Sequence, residues 1–227
     1  MSPSPRVPRL ATLTKGGKGP PTIVLLHGYC SSERDWVPFA KSIRLPRGTR
    51  FLFPRGPETA KRTDGRPAGR AWWHLDLAAD VHGDGLGADL SAEKPQGIEQ
   101  AANAVRSFLA EQGNRTAQPF ILGGFSQGAM VAAQVAFRSD EPLRALVLLS
   151  GTLVNKASWK AGFTRRKGLR VFIAHGRADP ILSFAVAERM QREMEAAGIN
   201  VTWFPFDGVH ETPAVVITAL NQFLERL

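Results

Sequence analysis

The chain of 227 residues is 43% hydrophobic and 22% charged, a globular rather than a disordered balance, and its length suits one domain with a sizeable core. No stretch approaches the roughly 18 unbroken apolar residues of a membrane span, and residues 1–21 lack the apolar run of a signal peptide. The single cysteine, Cys30, excludes an internal disulfide and fits a reducing compartment, so a cytoplasmic location is expected. The net charge of +9 is uneven: residues 1–70 hold 14 Lys/Arg against 4 Asp/Glu, whereas residues 71–100 hold 1 against 6. Solvated surface arginines account for this, and weak peripheral contact with anionic lipid is the open alternative. No basic run is interleaved with aromatics, so nucleic acid is not an expected partner.

Residues 1–21, rich in Pro, Gly and basic side chains, read as a flexible leader to a single domain over 22–227. Residues 22–27 (TIVLLH) are apolar and β-branched, as a buried strand requires. Residues 50–53 form a weaker strand closed by Pro54. Residues 55–96 then break the rhythm: they are rich in Gly, Pro and Asp and show no sustained period. A connection of that length reads as a lid-like, partly ordered insertion over a pocket.

Further strands are expected over 120–124 (FILGG), 145–150 (ALVLLS), 170–175 (RVFIAH) and 200–205 (NVTWFP). Apolar residues recur at helical spacing over 97–112, 127–138, 183–197 and 213–227. Pro213 suits a first helical turn and Gly198 a helix stop. Alternating strands and helices predict an α/β fold around a mostly parallel sheet.

Gly124-Phe125-Ser126-Gln127-Gly128 is a G-x-S-x-G pentapeptide. It follows an apolar strand and opens a helix, the context of a nucleophile elbow, in which flanking glycines relieve crowding and the serine hydroxyl stands clear of the sheet. A serine hydroxyl needs a base and the base needs an orienting carboxylate. Of the five histidines, His27 and His175 end strands in His-Gly turns, where a structural role is expected, and His74 and His82 lie in the irregular segment. His210 follows the last strand and is the candidate base. Asp179, just past the end of the strand over 170–175, is the candidate orienter, with Asp207 as its rival.

The N–H groups of Gln127, the residue after the serine, and Tyr29, in the turn that Gly28 allows after the first expected strand, are the candidate oxyanion donors. Cys30 has no local base and reads as an inert thiol. Asp80-Val81-His82-Gly83-Asp84-Gly85 begins like a calcium loop, but Ser91 stands where its twelfth-position acid belongs, so no metal is expected. Trp72 and Trp73 either floor an acyl pocket or anchor the insertion to the core.

Taken in order, LLHGY (25–29), Trp36, AWW (71–73), GIEQAA (97–102), LGGFSQGA (122–129), LSG (149–151), HGRADP (175–180) and DGVHE (207–211) resemble the carboxylesterase, lysophospholipase and acyl-protein thioesterase group of α/β-hydrolases. The likeness runs from about residue 22 to 227. It implies an α/β-hydrolase fold without a separate cap domain, a triad of Ser126, Asp179 and His210, oxyanion donors at Tyr29 and Gln127, and no cofactor. Trp72-Trp73-His74 stands where the group commonly has Trp-Phe-Asp, a departure that bears on substrate choice.

The leading expectation is a carboxylesterase acting on short-to-medium acyl esters, with Trp72, Trp73 and Leu153 lining the acyl pocket. A thioesterase or lysophospholipase at membrane surfaces is the alternative within the same chemistry. A non-catalytic relative that binds a ligand or partner is the alternative of another class. The expected partner is a small ester or thioester, and the chain is expected as a monomer or homodimer.

Overall fold

The computed structural model describes residues 7–45, 48–62, 64–75, 87–113 and 119–227. Its strands are β1 (Thr12–Gly16), β2 (Gly19–Leu26), β3 (Thr49–Pro54), β4 (Glu58–Lys61), β5 (Pro67–Ala71), β6 (Phe120–Phe125), β7 (Leu143–Leu149), β8 (Arg170–Gly176) and β9 (Asn200–Phe206). Its helices are α1 (Trp36–Ser42), α2 (Ile98–Gly113), α3 (Gln127–Arg138), α4 (Lys156–Arg165), α5 (Phe184–Ala196) and α6 (Ala214–Glu225). Seven strands form one sheet in the order β1-β3-β2-β6-β7-β8-β9, and β4 and β5 form a separate hairpin. β1 runs antiparallel to β3, and every other pair in the large sheet is parallel.

Side chains alternate across a strand, so each central strand feeds two cores. Val24, Leu26, Leu122, Leu146, Leu148, Val171 and Ile173 point into one layer, covered by α2, α3, α4 and α5. Ile23, Leu25, Ile121, Val147, Phe172 and Ala174 point into the other, covered by α1 and α6. Both faces are buried, which is why these strands read as unbroken apolar runs. α3 is buried over all of Gln127–Phe137, and its alanines allow it to lie between the sheet and the outer helices.

The structure departs from the sequence reading near the N-terminus. Where a leader is expected through residue 21, Thr12–Gly16 forms β1 and β2 begins at Gly19. β1 is an edge strand with one neighbour, so it needs little apolar content: within it Leu13 alone is partly buried, while Leu10, just before it, is buried in the opposite core. Of residues 55–96, read as a lid-like, partly ordered insertion, residues 55–62, 64–75 and 87–96 are described. This span includes the β4–β5 hairpin, and Trp72 and Trp73 are buried within it. The calcium-like residues 80–85 lie outside the described residues.

Two helices escape the periodic reading. α1 is only 7 residues long. α4 carries three basic residues and is partly exposed but is held by Trp159, whose indole N–H donates to Gln134 Oε1 at 2.5 Å. Among the described residues no helix is long and apolar enough to cross a membrane.

Candidate active site

Ser126 joins β6 to α3 in a single residue with φ 54° and ψ −119°, a backbone conformation that a side chain rarely adopts. Its N–H donates to Leu149 O at 2.9 Å and its carbonyl accepts from Ala129 N–H at 3.0 Å, so the turn is tied to β7 on one side and to the helix on the other. A Cβ on Gly128 would stand 2.2 Å from Leu26 O, and one on Gly124 would stand 2.4 Å from the Gly128 carbonyl carbon. Both glycines of the pentapeptide are therefore required by close backbone approach.

Asp179 and His210 come together at the neighbouring strand ends. His210 Nδ1 lies 2.7 Å from Asp179 Oδ2. The contact is built by two loops that touch along their backbones: Arg177 N–H donates to Phe206 O at 2.9 Å and Ala178 N–H to Gly208 O at 3.0 Å. Gly176 allows this approach, because a Cβ there would stand 2.3 Å from Val209 O.

The other Asp179 oxygen accepts the N–H groups of Ile181 and Leu182 at 2.9 and 3.0 Å. Burial pushes this carboxyl up. Hydrogen bonds from His175 and His210, the His210 charge and the Leu182 N–H outweigh it and hold the group well below the usual carboxylate range. Asp207, the rival, is 98% exposed at its side chain and pairs with Arg177 at 3.5 Å.

The His210 loop also reaches the elbow. The His210 and Phe125 rings lie 4.8 Å apart between centroids, and Glu211 O accepts from Ser150 Oγ–H at 3.4 Å. The elbow and the histidine loop thus share the end of β7 as a common anchor. His74 instead pairs with Glu58 on the hairpin at 3.1 Å, and His82 lies outside the described residues.

Around these residues is a buried polar frame that sequence reasoning missed. Gln127, wholly buried, accepts the Trp72 N–H at 2.8 Å and donates to Trp73 O at 2.9 Å. Trp72 in turn donates its indole N–H to His27 O at 2.8 Å. His27 Nε2 accepts the Gly56 N–H at 2.9 Å, so its proton sits on Nδ1 and is donated to Gly28 O at 2.8 Å. Burial, the largest influence, pushes this imidazole below its ordinary value, against the Gly28 carbonyl, which favours the charged form.

His175 Nε2 faces Leu182 O at 2.9 Å and Asp179 Oδ2 at 3.2 Å. The four-residue spacing of His175 and Asp179 was the available signal for this contact. Of the candidate substrate-binding residues, Trp72 and Trp73 are buried yet border a cavity of about 600 Å³ with Leu75 and Leu90. Leu153 is wholly buried in the same core cluster and does not line that cavity. Tyr29, the residue after Gly28, anchors the hairpin through its hydroxyl, which accepts Lys61 N–H at 3.2 Å and donates to Lys61 O at 3.1 Å.

Two outcomes follow from this frame. Gln127→Ala strands two buried backbone groups and is expected to lower stability by on the order of 3 kcal/mol, read as a fall in the urea midpoint. His27, held below its unfolded value of 6.5, contributes stability that is present above that value and lost as pH falls through its folded pKa. The urea midpoint should therefore drop between about pH 7.5 and about pH 5.5, and His27→Asn should flatten that drop.

The profile of the family described as Phospholipase/Carboxylesterase matches residues 9–227. Acyl-protein thioesterase 1 of Yarrowia lipolytica is 24% identical over 216 residues, covering 91% of this chain and 88% of the relative. Among solved structures, esterase PE8 superposes with a TM-score of 0.78 at 26% identity, covering 96% of this chain and 99% of that one. Zea mays acyl-protein thioesterase 2 superposes with a TM-score of 0.74 at 22% identity, covering 95% and 98%, a likeness of fold. With nearly its whole length matched, the chain belongs to the phospholipase/carboxylesterase family and is a hydrolase of the α/β-hydrolase fold.

Proposed function

We propose that this protein hydrolyses carboxylic esters of short-to-medium acyl chains, with Ser126 as nucleophile, His210 as general base and Asp179 as the group that orients it. The observation that carries the reading is the 2.7 Å hydrogen bond between His210 Nδ1 and a buried Asp179 oxygen, on the sheet edge that also holds the strained Ser126 turn. With its Nδ1 proton engaged, the imidazole turns a bare Nε2 to the serine. Ser126 Oγ attacks the ester carbonyl as its proton passes to His210 Nε2. The oxyanion that forms is met by the N–H groups of Tyr29 and Gln127.

Collapse of the tetrahedral intermediate breaks the bond to the alcohol, which leaves with the proton from His210. Water, deprotonated by the same imidazole, then splits the acyl-enzyme and releases the acid. Residues of this chain supply every role, so no cofactor enters the scheme. The cavity bordered by Trp72 and Trp73 is the proposed seat of the acyl chain, and its tryptophan wall is tied to the elbow through the Gln127–Trp73 hydrogen bond.

Thioester hydrolysis is the second reading. It is favoured by the resemblance to acyl-protein thioesterases across nine-tenths of the chain, and the same acyl-enzyme forms from a thioester. Comparing kcat/KM for an S-acyl peptide and an O-aryl ester of the same acid decides between the two readings.

Ser126→Ala is expected to abolish labelling by a fluorophosphonate and to lower turnover of p-nitrophenyl butanoate on the order of 10⁴-fold or more. Full turnover in that variant would sink the assignment. Asp179→Asn should leave Ser126 in place but lower kcat about 10⁴-fold, because the imidazole loses the acceptor that sets its tautomer.

A further inference from the structure

A groove of about 260 Å³ opens beside the elbow, lined by Gly28, Ser31, Asp35, Trp36, Phe39, Phe125 and Thr212. From the position a Gly28 Cβ would take, Ser126 Cβ is 3.4 Å away and Phe125 Cδ1 is 3.1 Å away, so the Gly28 and Phe125 walls of the groove lie directly beside the serine. Its inner wall flanks His210: Phe125 lies 4.8 Å from that imidazole between centroids, and Thr212 is two residues beyond it. Its outer wall is aromatic, with Trp36 and Phe39 edge to face at 4.7 Å. Asp35, exposed at the rim, is the only charged side chain among the lining residues. One of its oxygens is held in place, accepting from Ser31 Oγ–H at 2.6 Å and Ser32 N–H at 2.9 Å.

We infer that this groove is the leaving-group subsite, and that it takes an apolar, preferably aromatic alcohol or thiol half that is neutral or cationic rather than anionic. The inference rests on the proposed Ser126 chemistry. As the Ser126 Oγ–carbonyl bond forms and the bond from that carbon to the leaving oxygen or sulfur breaks, the proton taken by His210 is returned to the departing atom. The departing half must therefore lie on the His210 side, which is where the groove lies. The acyl half is left to the cavity at Trp72 and Trp73.

Volume, walls and charge set the class of leaving group. A cavity of roughly 150 Å³ accommodates benzene, so this one holds a single substituted ring. Its faces can meet Trp36, Phe39 and Phe125 edge-on or offset. The Asp35 carboxylate repels an anionic substituent and, together with the ring faces, attracts a cationic one.

The test uses the full chain and butanoate esters that differ only in the departing alcohol. Phe39→Ala is expected to lower the ratio of kcat/KM for phenyl butanoate over ethyl butanoate about tenfold. The ratio of ethyl butanoate over ethyl hexanoate should be conserved, because the acyl half is bound elsewhere. Asp35→Asn keeps an oxygen for the Ser31 and Ser32 contacts. It is expected to lower the preference for 4-(trimethylammonio)phenyl over 4-carboxyphenyl butanoate several-fold at low salt, an effect that shrinks as salt is added.

A shift in acyl-length preference in Phe39→Ala would overturn the inference by placing the acyl chain in the groove. Equal losses on every ester, or no change in either ratio, would overturn it as well. These outcomes differ from a failure of the serine reading, which appears instead as full ester turnover in Ser126→Ala.

Discussion

At residue 126 the chain passes from a central strand into a buried helix within one residue, while the first turn of that helix lies against the carbonyls of β2. A Cβ at Gly128 would stand 2.2 Å from Leu26 O and 2.5 Å from His27 O. Nothing larger than hydrogen fits there, and the positive φ of Ser126 is the local consequence of meeting that contact. The strain is sustained because the turn is bonded on both sides, to Leu149 and to α3. The residue after the serine then has both its backbone and its side chain committed. Its amide faces the substrate side in the proposed mechanism, and its amide side chain ties down Trp72 and Trp73.

The electrostatic arrangement is economical. A buried carboxylate is costly unless its lone pairs are satisfied. Asp179 meets that demand with two backbone N–H groups on one oxygen and two imidazoles near the other. The donors come from its own loop, from the end of β8 and from the loop after β9, so the ionised form is tolerated in the interior only while those three segments stay docked. Charge at Asp179 and shape at the sheet edge are therefore one property. The basic excess of the first third plays no part in this cluster. Several of those arginines have local structural work, such as Arg70, which donates to Gly56 O and Pro57 O.

Much of the fold was legible because burial on both faces of a parallel sheet demands long apolar runs. β6, β8, β9 and α3 lie where the pattern placed them, within a residue or two. What escaped had weak patterning for physical reasons. β1 is an edge strand, α1 is short, and α4 is held by a few large side chains rather than by a continuous apolar stripe. At the site, the pentapeptide and the order of serine, acid and base could be read directly. The frame of His27, Gln127, Trp72 and Trp73 could not, because its hydrogen bonds join residues 45 to 55 positions apart, a pairing that no local pattern encodes.

The sequence by itself singled out the candidate residues for chemistry, because a glycine-flanked serine between strand and helix, with an acid and a histidine after later strands, follows from local backbone requirements. It also determined the layered α/β architecture through hydrophobic period. Only the tertiary structure decided which acid meets the histidine: Asp179 is drawn in by donors from three segments, while Asp207 turns to solvent. Only it decided that the tryptophan pair is bound into the core through Gln127 and His27, and that an aromatic groove with one carboxylate at its rim lies beside the serine. Those outcomes depend on how far apart strand ends and loops lie once the sheet has formed, a distance that no single segment encodes.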